Sequence, residues 1–271
     1  MGRRRRLDSL LVDRGLAATR ERARALILAG AVEAGGRRDL KPGTSLDAET
    51  SIQVIRNPNP YVSRGGLKLA HALERFGLDA SGRVWLDVGA STGGFTHCLL
   101  KAGARRVIAL DVGRGQLDWG LRTDPRVALL EGVNARRLRG EDLPESPDAA
   151  TVDVSFISLR LVVPPVAAVL KPAGRIVALV KPQFEVGKGE VGKGGVVRDP
   201  EKHVAVLRGL IRFFREREFP VTGLTPSPIT GAKGNVEHLI LIDLGAEARG
   251  IYPDEEAIGR TVAEAMEAET A

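Results

Sequence analysis

The sequence contains few of the residues that build disulfide frameworks or metal centres. Its single cysteine, Cys98, excludes an intrachain disulfide framework and a zinc site made from several cysteines. The histidines are scattered along the chain at His71, His97, His203 and His238. We therefore expect no metal site.

Aromatic residues and long apolar runs are also scarce. Aromatic residues make up 4% of the 271 residues, which predicts a mainly aliphatic core. The longest apolar run, Leu161–Leu170, has ten residues with two prolines, whereas a membrane-spanning helix needs about 20 apolar residues. The arginines at Arg3–Arg6 lead into an amphipathic segment rather than into the apolar stretch of a signal peptide. We expect a cytoplasmic protein that does not associate with membranes.

The excess of positive charge lies at the N-terminal end. Residues 1–60 contain 12 Lys and Arg against 7 Asp and Glu, whereas the other 211 residues contain 28 against 27. A local basic surface attracts phosphate backbones through counterion release, and it attracts anionic lipids by Coulomb attraction. A run of charge is equally typical of a solvated face, so charge alone leaves these alternatives open.

Residues 6–58 have the pattern of a small α+β module. Leucines predict a short helix that ends near Arg14 and Gly15, and a second helix is expected from about Thr19 to Leu28. Two strand-like pieces follow, at 31–33 and 51–55. Asn57–Pro60 breaks this pattern and is typical of a linker. We predict an N-terminal domain over 1–58, a linker over 59–62 and a second domain over 63–271.

Strands and helices alternate in the second domain. The predicted strands are Arg83–Val88, Arg106–Asp111, Val127–Glu131, Ala149–Asp153, Arg175–Lys181, Val221–Leu224 and His238–Leu244. The predicted helices are Lys68–Phe76, Phe95–Ala102, Leu159–Leu170, Glu201–Glu216 and Asp254–Glu269. Apolar strands separated by helices indicate βαβ units and a mostly parallel, Rossmann-like sheet of seven strands, covered on both faces.

A glycine-rich turn follows the first of these strands, at Gly89–Gly94. The dinucleotide fingerprint G-x-G-x-x-G fails there, because Ser91 stands where the second glycine is required. The pattern G-x-S-x-G of serine hydrolases does match, with Ser91 as nucleophile and with Asp153 and His238 following in the order that a triad needs. Five-residue matches of this kind arise easily by chance.

Two further interpretations of this turn remain open. It is typical of a nucleotide-binding loop in a methyltransferase, in which Asp111, at the end of the second strand, would accept hydrogen bonds from a ribose diol. It is also typical of an ordinary strand–helix connection that binds no ligand. A second glycine-rich segment, 187–194, resembles a Walker A loop, but Gly194 stands where Ser or Thr must bind Mg²⁺. We expect there either a loop beside the site, with Lys188 and Lys193 available to phosphates, or an exposed connection.

Four charged residues stand close to the predicted strands. Asp153 and Lys181 end adjacent apolar strands, where ligands bind in open α/β sheets. Glu237 precedes the last strand, and Lys68 lies ahead of the sheet. Each of the four is individually compatible with an ordinary surface charge. The strand-end positions favour a functional role for Asp153 and Lys181.

Longer motifs resemble a known family. The pattern Leu10-Leu11-Val12-x-Arg14-Gly15-Leu16-Ala17, followed by Ala29-Gly30-Ala31-Val32, resembles an S4 RNA-binding domain, and the rest of the chain resembles an FtsJ-type methyltransferase. The motifs Val62-Ser63-Arg64-Gly65-Gly66-x-Lys68-Leu69, Asp153-x-Ser155-Phe156-Ile157-Ser158-Leu159 and Val180-Lys181-Pro182-Gln183-Phe184-Glu185-Val186-Gly187 resemble the TlyA rRNA methyltransferases. The resemblance covers nearly the whole chain.

The resemblance implies S-adenosylmethionine-dependent 2′-O-methylation of ribose in ribosomal RNA, at cytidines of the small or large subunit. It implies a catalytic tetrad at Lys68, Asp153, Lys181 and Glu237. Expected cofactor residues are Asp87, Gly89, Ala90, Ser91, Thr92, Gly93, Asp111, Asn134 and Asp153. Expected RNA-binding residues are Arg4, Arg6, Arg14, Arg20, Arg64, Lys188 and Lys193. We expect ribosomal RNA or ribosomal subunits as partners of a monomeric protein.

The chemistry of methyl transfer fits the tetrad. A ribose 2′-hydroxyl is a poor nucleophile at neutral pH and needs proton removal or charge stabilisation as it attacks a methyl sulfonium. We expect Lys181 to orient the hydroxyl and take or stabilise its proton, Asp153 and Glu237 to position Lys181, and Lys68 to offset their charge. The alternatives are a membrane-active haemolysin, a name that some relatives carry, a serine hydrolase that uses Ser91, and a non-enzymatic RNA-binding ribosome factor.

Overall fold

The computed structural model describes residues 4–28, 30–37, 40–54, 59–187, 189–192 and 194–270. The chain divides into two compact units, Met1–Arg64 and Gly65–Ala271. The division falls two residues beyond the predicted linker, and the limits of that linker stay a prediction.

The N-terminal unit is a small α+β structure. Its elements are β1 (Arg4–Arg6), α1 (Leu7–Asp13), α2 (Arg20–Leu28), β2 (Val32–Ala34), β3 (Ser45–Asp47) and β4 (Ile52–Val54). Strands β1 and β3 form one antiparallel pair, and β2 and β4 form another. Leu7, Leu10 and Leu11 are buried with Ile27 in the core of this unit. The leucine spacing of three and four places these side chains on one face of α1.

The second unit contains the large sheet. Its strands are β5 (Val84–Val88), β6 (Arg106–Asp111), β7 (Val127–Glu131), β8 (Ala149–Val152), β9 (Arg175–Val180), β10 (Val221–Pro226) and β11 (His238–Asp243). Its helices are α3 (Gly65–Arg75), α4 (Gly94–Lys101), α5 (Trp119–Arg122), α6 (Leu159–Val169), α7 (Pro182–Glu185), α8 (Pro200–Arg215) and α9 (Glu255–Thr270). The four-residue helices α5 and α7 were not predicted from the sequence.

The sheet has seven strands in the order β10-β11-β9-β8-β5-β6-β7. Strands β5 to β9 run parallel, and β11 is antiparallel to both β9 and β10. The predicted mostly parallel α/β sheet is confirmed. Every residue of β5 and β8 is buried, as expected for strands that are covered on both faces.

The strand directions bring several loops to one edge of the sheet. The carboxyl ends of β5, β6, β8 and β9 lie at this edge and lead into Gly89, Asp111, Asp153 and Lys181. Because β11 is antiparallel to β9, with His238 opposite Val180, β11 begins at the same edge. Glu237, which directly precedes β11, is therefore next to the end of β9.

Candidate active site and cofactor cleft

A cleft of about 540 Å³ opens at the carboxyl ends of β5, β6 and β8. The predicted cofactor residues that line it are Gly89, Ser91, Asp111, Asn134 and Asp153. Asn134 also caps a short 3₁₀ turn, because its Oδ1 accepts a hydrogen bond from the backbone N–H of Arg136 at 3.0 Å.

Glycine is required at two positions of the turn between β5 and α4. Gly89 has φ +85°, and a Cβ there would lie 2.3 Å from the backbone oxygen of Asp153. Gly93 has φ +94°, and its Cβ would lie 2.3 Å from the side chain of Leu121. A side chain at either position would therefore displace the loop from β8 or from α5. Ala90 and Thr92, the other predicted cofactor residues of this turn, lie between the two glycines.

Asp111 holds the turn and faces the cleft. Its Oδ2 accepts a hydrogen bond from Ser91 N–H at 2.7 Å, and its Oδ1 accepts one from Gly113 N–H at 2.7 Å. A carboxylate offers about four lone-pair sites. Two sites thus remain for a ligand with paired hydroxyl donors, such as a ribose diol.

Asp87 lies beneath the turn rather than at the cleft surface. Its side chain is fully buried and accepts hydrogen bonds from Thr96 Oγ1 at 2.6 Å and from Thr151 Oγ1 at 3.0 Å. Burial raises the pKa of Asp87 to about 6. Asp87 thus connects β5 to α4 and β8 and is not among the residues that line the cleft, and its predicted contact with the cofactor stays a prediction.

Lys181 and Asp153 form an ion pair at the ends of β9 and β8. Lys181 Nζ lies 2.6 Å from Asp153 Oδ1 and 3.1 Å from Ser155 Oγ. Lys181 Nζ donates a hydrogen bond to Ser155 Oγ. Its contact with Asp153 Oδ1 is an ion pair that lacks the geometry of a hydrogen bond. Ser155 was not predicted as a site residue, although it belongs to one of the longer motifs.

Lys68 and Glu237 form the second ion pair, in which Lys68 Nζ donates to Glu237 Oε2. Both are buried, and they come from α3 and from the residue before β11. Burial raises the pKa of Glu237 above its ordinary value, and the opposing effects of Lys68 and Lys181 do not cancel this rise. Gly231 packs against this carboxylate so closely that a Cβ at 231 would lie 2.0 Å from Glu237 Oε1.

The four charges thus form two pairs. We expected both carboxylates to position Lys181, but Glu237 contacts Lys68, while Asp153 contacts Lys181. The positive charge of Lys181 still acts on Glu237 through space, because it opposes part of the rise in pKa that burial causes. The pairing could not be inferred from the sequence, since Lys68 and Glu237 are 169 residues apart.

Two aromatic side chains stand beside Lys181. Phe156 is 91% exposed, adopts φ +62° and lines the cleft. Its ring centroid lies 4.8 Å from that of Phe184, and the Phe184 ring lies 6.0 Å from Lys181 Nζ. Left-handed backbone is uncommon for a residue with a bulky side chain, and such residues cluster at active sites and ligand-binding segments. Both belong to the longer motifs, yet neither was predicted as a site residue.

The glycine-rich segment that follows α7 is held at its C-terminal end. Asn235 Oδ1 accepts a hydrogen bond from Val197 N–H at 3.3 Å, and Asn235 Nδ2 donates to the Gly195 oxygen at 3.1 Å. His203 Nε2 lies 2.9 Å from the Val197 oxygen. The predicted phosphate-binding lysines of this segment, Lys188 and Lys193, lie outside the described residues.

The predicted RNA-binding arginines of the N-terminal unit have partners within the chain. Arg6 forms a bidentate pair with buried Asp8, at 2.7 and 2.9 Å, which lowers the pKa of Asp8 to about 2. Arg14 donates to the backbone oxygens of Ala48 and Thr50. Arg4 donates to the Ser45 oxygen, and Arg20 lies 3.6 Å from Asp8 Oδ1. All four of these arginines are exposed. Arg64 is exposed as well.

The serine hydrolase interpretation is excluded by these contacts. His238 is fully buried, its Nε2 lies 3.0 Å from His203 Nδ1, and burial lowers its pKa to about 3. Asp153 is paired with Lys181. His238 and Asp153 therefore do not form a triad with Ser91. In the part of the chain that the structure describes, no helix is long and apolar enough to cross a membrane.

Comparison with known proteins agrees with the two units. Residues 5–52 match the S4 domain model, and residues 61–244 match the model of FtsJ-like methyltransferases. A putative rRNA methyltransferase of Bacillus subtilis is 47% identical over 96% of this chain and 93% of its own length. The 16S/23S rRNA (cytidine-2′-O)-methyltransferase TlyA of Mycobacterium tuberculosis is 44% identical over 97% of this chain and 99% of its own length.

A solved structure is also similar over the whole length. It is described as a putative hemolysin from Streptococcus thermophilus, is 41% identical, and covers 98% of this chain and 97% of its own with a TM-score of 0.79. The matches span both units, and the range matched to the FtsJ-like model includes positions 68, 153, 181 and 237. The chain is therefore a member of the TlyA family of S-adenosylmethionine-dependent methyltransferases, with an S4 domain followed by an FtsJ-like domain.

Proposed function

We propose that this protein transfers a methyl group from S-adenosylmethionine to the 2′-hydroxyl of a cytidine ribose in ribosomal RNA. The observation that carries the proposal is the position of the Lys181–Asp153 pair at the rim of the cleft, since Asp153 belongs both to this pair and to the cleft wall. The relative from M. tuberculosis, at 44% identity, is named for this reaction on 16S and 23S rRNA.

The cleft residues fit the nucleoside part of S-adenosylmethionine. Gly89 lies in the wall of the cleft and keeps the loop against the backbone of Asp153, and Asp111 keeps lone pairs for a ribose diol. The bound cofactor supplies a methyl group activated by a sulfonium. Ser91 and Asn134 line the same cleft and complete the proposed cofactor set with Gly89, Asp111 and Asp153.

Lys181 is the proposed catalytic residue closest to the target hydroxyl. It would orient the oxygen and stabilise the negative charge that builds on it as the methyl group passes from sulfur to oxygen and the hydroxyl proton is released to solvent water. Asp153 and Ser155 hold the Lys181 ammonium in place. Lys68 pairs with Glu237 and offsets the negative charge of that carboxylate. Alignment of the hydroxyl with the methyl group supplies further acceleration, because holding two reactants in line lowers the entropic cost of reaction.

The N-terminal unit would bind RNA through its exposed arginines, and a 2′-hydroxyl target distinguishes RNA from DNA. All four residues of the tetrad come from one unit of one chain, which supports action as a monomer. Ribosomal subunits in the cytoplasm are the proposed substrate.

The test is transfer of tritiated methyl groups from S-adenosylmethionine to isolated 30S and 50S subunits that lack the modification. Lys181→Ala should lower the rate at least about 100-fold, the range expected for loss of a group that acts on the transferred proton. Lys171→Ala is the matched control, because Lys171 forms a 2.8 Å ion pair with Asp148 at the opposite edge of the sheet. Equal rates in the two variants, or no incorporation by the wild type, would contradict the proposal.

A further inference from the structure

Two segments of the active site are joined at both ends. The first segment, 153–158, follows β8, and the second, 181–185, follows β9. At the start of both segments, Lys181 Nζ contacts Asp153 and Ser155. In the middle, the rings of Phe156 and Phe184 pack at 4.8 Å. The two segments are therefore in contact both at their start and in their middle.

Glu185 joins the far ends of the two segments. Its Oε2 accepts a hydrogen bond from Ser158 Oγ at 2.7 Å, and its Oε1 accepts one from the backbone N–H of Leu159 at 2.7 Å. These donors form the N-terminal end of α6, which has 11 residues. Hydrogen bonds to a carboxylate are stronger than neutral ones, and a negative charge is favourable at a helix N-terminus.

Ser158 is held in one orientation by a second bond. Its Oγ accepts a hydrogen bond from Arg160 N–H at 3.2 Å while it donates to Glu185. Burial raises the pKa of Glu185 above its ordinary value. Burying this carboxylate is unfavourable by itself, and the two hydrogen bonds from α6 offset the cost.

Lys181 depends on this junction because α7 is short. Lys181 is the N-cap of α7, and Glu185 is the last residue of that helix. A helix of four residues is not stable alone, since its nucleation is unfavourable. Tertiary contacts must therefore hold α7, and Glu185 supplies two of them to a longer helix. A displacement of about 1 Å at a catalytic group can lower a rate about 100-fold.

We propose that Glu185 is a positioning residue for methyl transfer. By accepting two hydrogen bonds from the N-terminus of α6, Glu185 fixes the position of Lys181 relative to Asp153 and Ser155. The proposal rests on the proposed function for its kinetic consequence. Glu185 acts through Lys181, because its carboxylate bonds to Ser158 and Leu159 at the start of α6.

The kinetic test compares Glu185→Ala, Glu185→Gln and Ser158→Ala with a control, Glu216→Ala, whose carboxylate is exposed on the surface. Glu185→Ala should lower kcat at least tenfold, while the dissociation constant of S-adenosylmethionine, measured by calorimetry, changes less than threefold. Glu185→Gln keeps one oxygen acceptor and should recover part of kcat. The double variant of Glu185→Ala with Ser158→Ala should be little slower than Glu185→Ala alone, because both changes remove one junction.

A second readout does not require methyl transfer. Acetic anhydride labels the lysine amines of the folded wild type and variants. Mass spectrometry of their peptides then gives the labelling rate of Lys181, with Lys171 as internal reference. Lys181 is 12% exposed, so Glu185→Ala should raise its labelling at least threefold, and Glu216→Ala should not. Unchanged labelling, an unchanged kcat, or a kcat that falls only with the folded fraction would overturn the proposal. If the wild type methylates neither subunit, the proposed function fails, and the labelling still decides whether Glu185 holds Lys181.

Discussion

At the scale of single residues, the site depends on close approaches that only glycine permits. Gly89 lets the cofactor loop approach the backbone of Asp153, and Gly231 lets the Glu237 carboxylate lie against the chain. Gly89 is recognisable from the sequence, because it belongs to a loop between strand and helix. Gly231 is not, since its neighbour Glu237 is fixed only by the fold of the loop between them.

Gly231→Ala should therefore impair the site. The added methyl group would lie 2.0 Å from Glu237 Oε1, so Glu237 must move and its pairing with Lys68 must change. We expect at least a tenfold loss of methyl transfer to ribosomal subunits. Gly259→Ala is the control, because its Cβ meets nothing within 4 Å in helix α9. Thermal unfolding should show Gly259→Ala unchanged or slightly stabilised, since alanine is favoured over glycine in helices. Full activity of Gly231→Ala would show that Glu237 is not needed in its present place.

At the scale of secondary-structure elements, the sequence predicted where the strands end, but it did not predict which charged residues at the strand ends pair with each other. Apolar runs located all seven strands of the sheet to within a few residues. The pattern is clearest in the buried parallel strands β5 and β8, which carry mainly apolar side chains. Strands β1 and β3 were missed, since three residues such as Arg4–Arg6 show no alternation. Helices α5 and α7 were missed because one turn carries no helical period. The two ion pairs depend on which strands are neighbours, and local patterns do not contain that information.

The burial of Asp87 in β5 predicts a pH dependence of stability, because it raises the pKa of this carboxyl more than the hydrogen bonds from Thr96 and Thr151 lower it. Its pKa is raised from 3.8 to about 6 in the folded protein, so the folded state binds a proton that the unfolded chain releases. The contribution to the free energy of unfolding is therefore full below about pH 4 and is lost as the pH rises through about 6. The shift corresponds to about 2–3 kcal/mol.

Asp87→Asn should remove this dependence. Urea unfolding between about pH 4.5 and 7.5 should show a free energy that falls with pH in the wild type and a flatter profile in the variant. Asp79→Asn, at an exposed carboxylate, is the control and should follow the wild type. Parallel profiles for wild type and Asp87→Asn would mean that Asp87 is not the titrating group.

At the scale of the whole molecule, the chain separates a basic unit from a unit that holds the tetrad and the cleft. Residues 1–60 carry most of the positive excess, and residues 65–271 contain all of the proposed catalytic residues. RNA binding and chemistry should therefore respond to different substitutions.

Substitution of exposed arginines in the N-terminal unit should weaken RNA binding without altering the chemistry. Arg4→Gln and Arg20→Gln should each reduce the slope of log K against log salt by about 0.7–0.9 for every phosphate that the variant no longer neutralises. The affinity for S-adenosylmethionine should stay the same. Arg260→Gln, in α9, is the control, because Arg260 lies on the surface beside Glu256. Fluorescence anisotropy with an rRNA fragment at several salt concentrations measures the slopes, and an unchanged slope in both variants would place the RNA-binding surface elsewhere.

The measurement that tests the central claim most directly is nucleoside analysis of the product. Ribosomal subunits lacking the modification are incubated with the protein and S-adenosylmethionine, and their RNA is digested to nucleosides for mass spectrometry. We predict 2′-O-methylcytidine with the wild type and its absence with Lys181→Ala. A base-methylated nucleoside, or 2′-O-methylcytidine formed equally by Lys181→Ala, would contradict the claim.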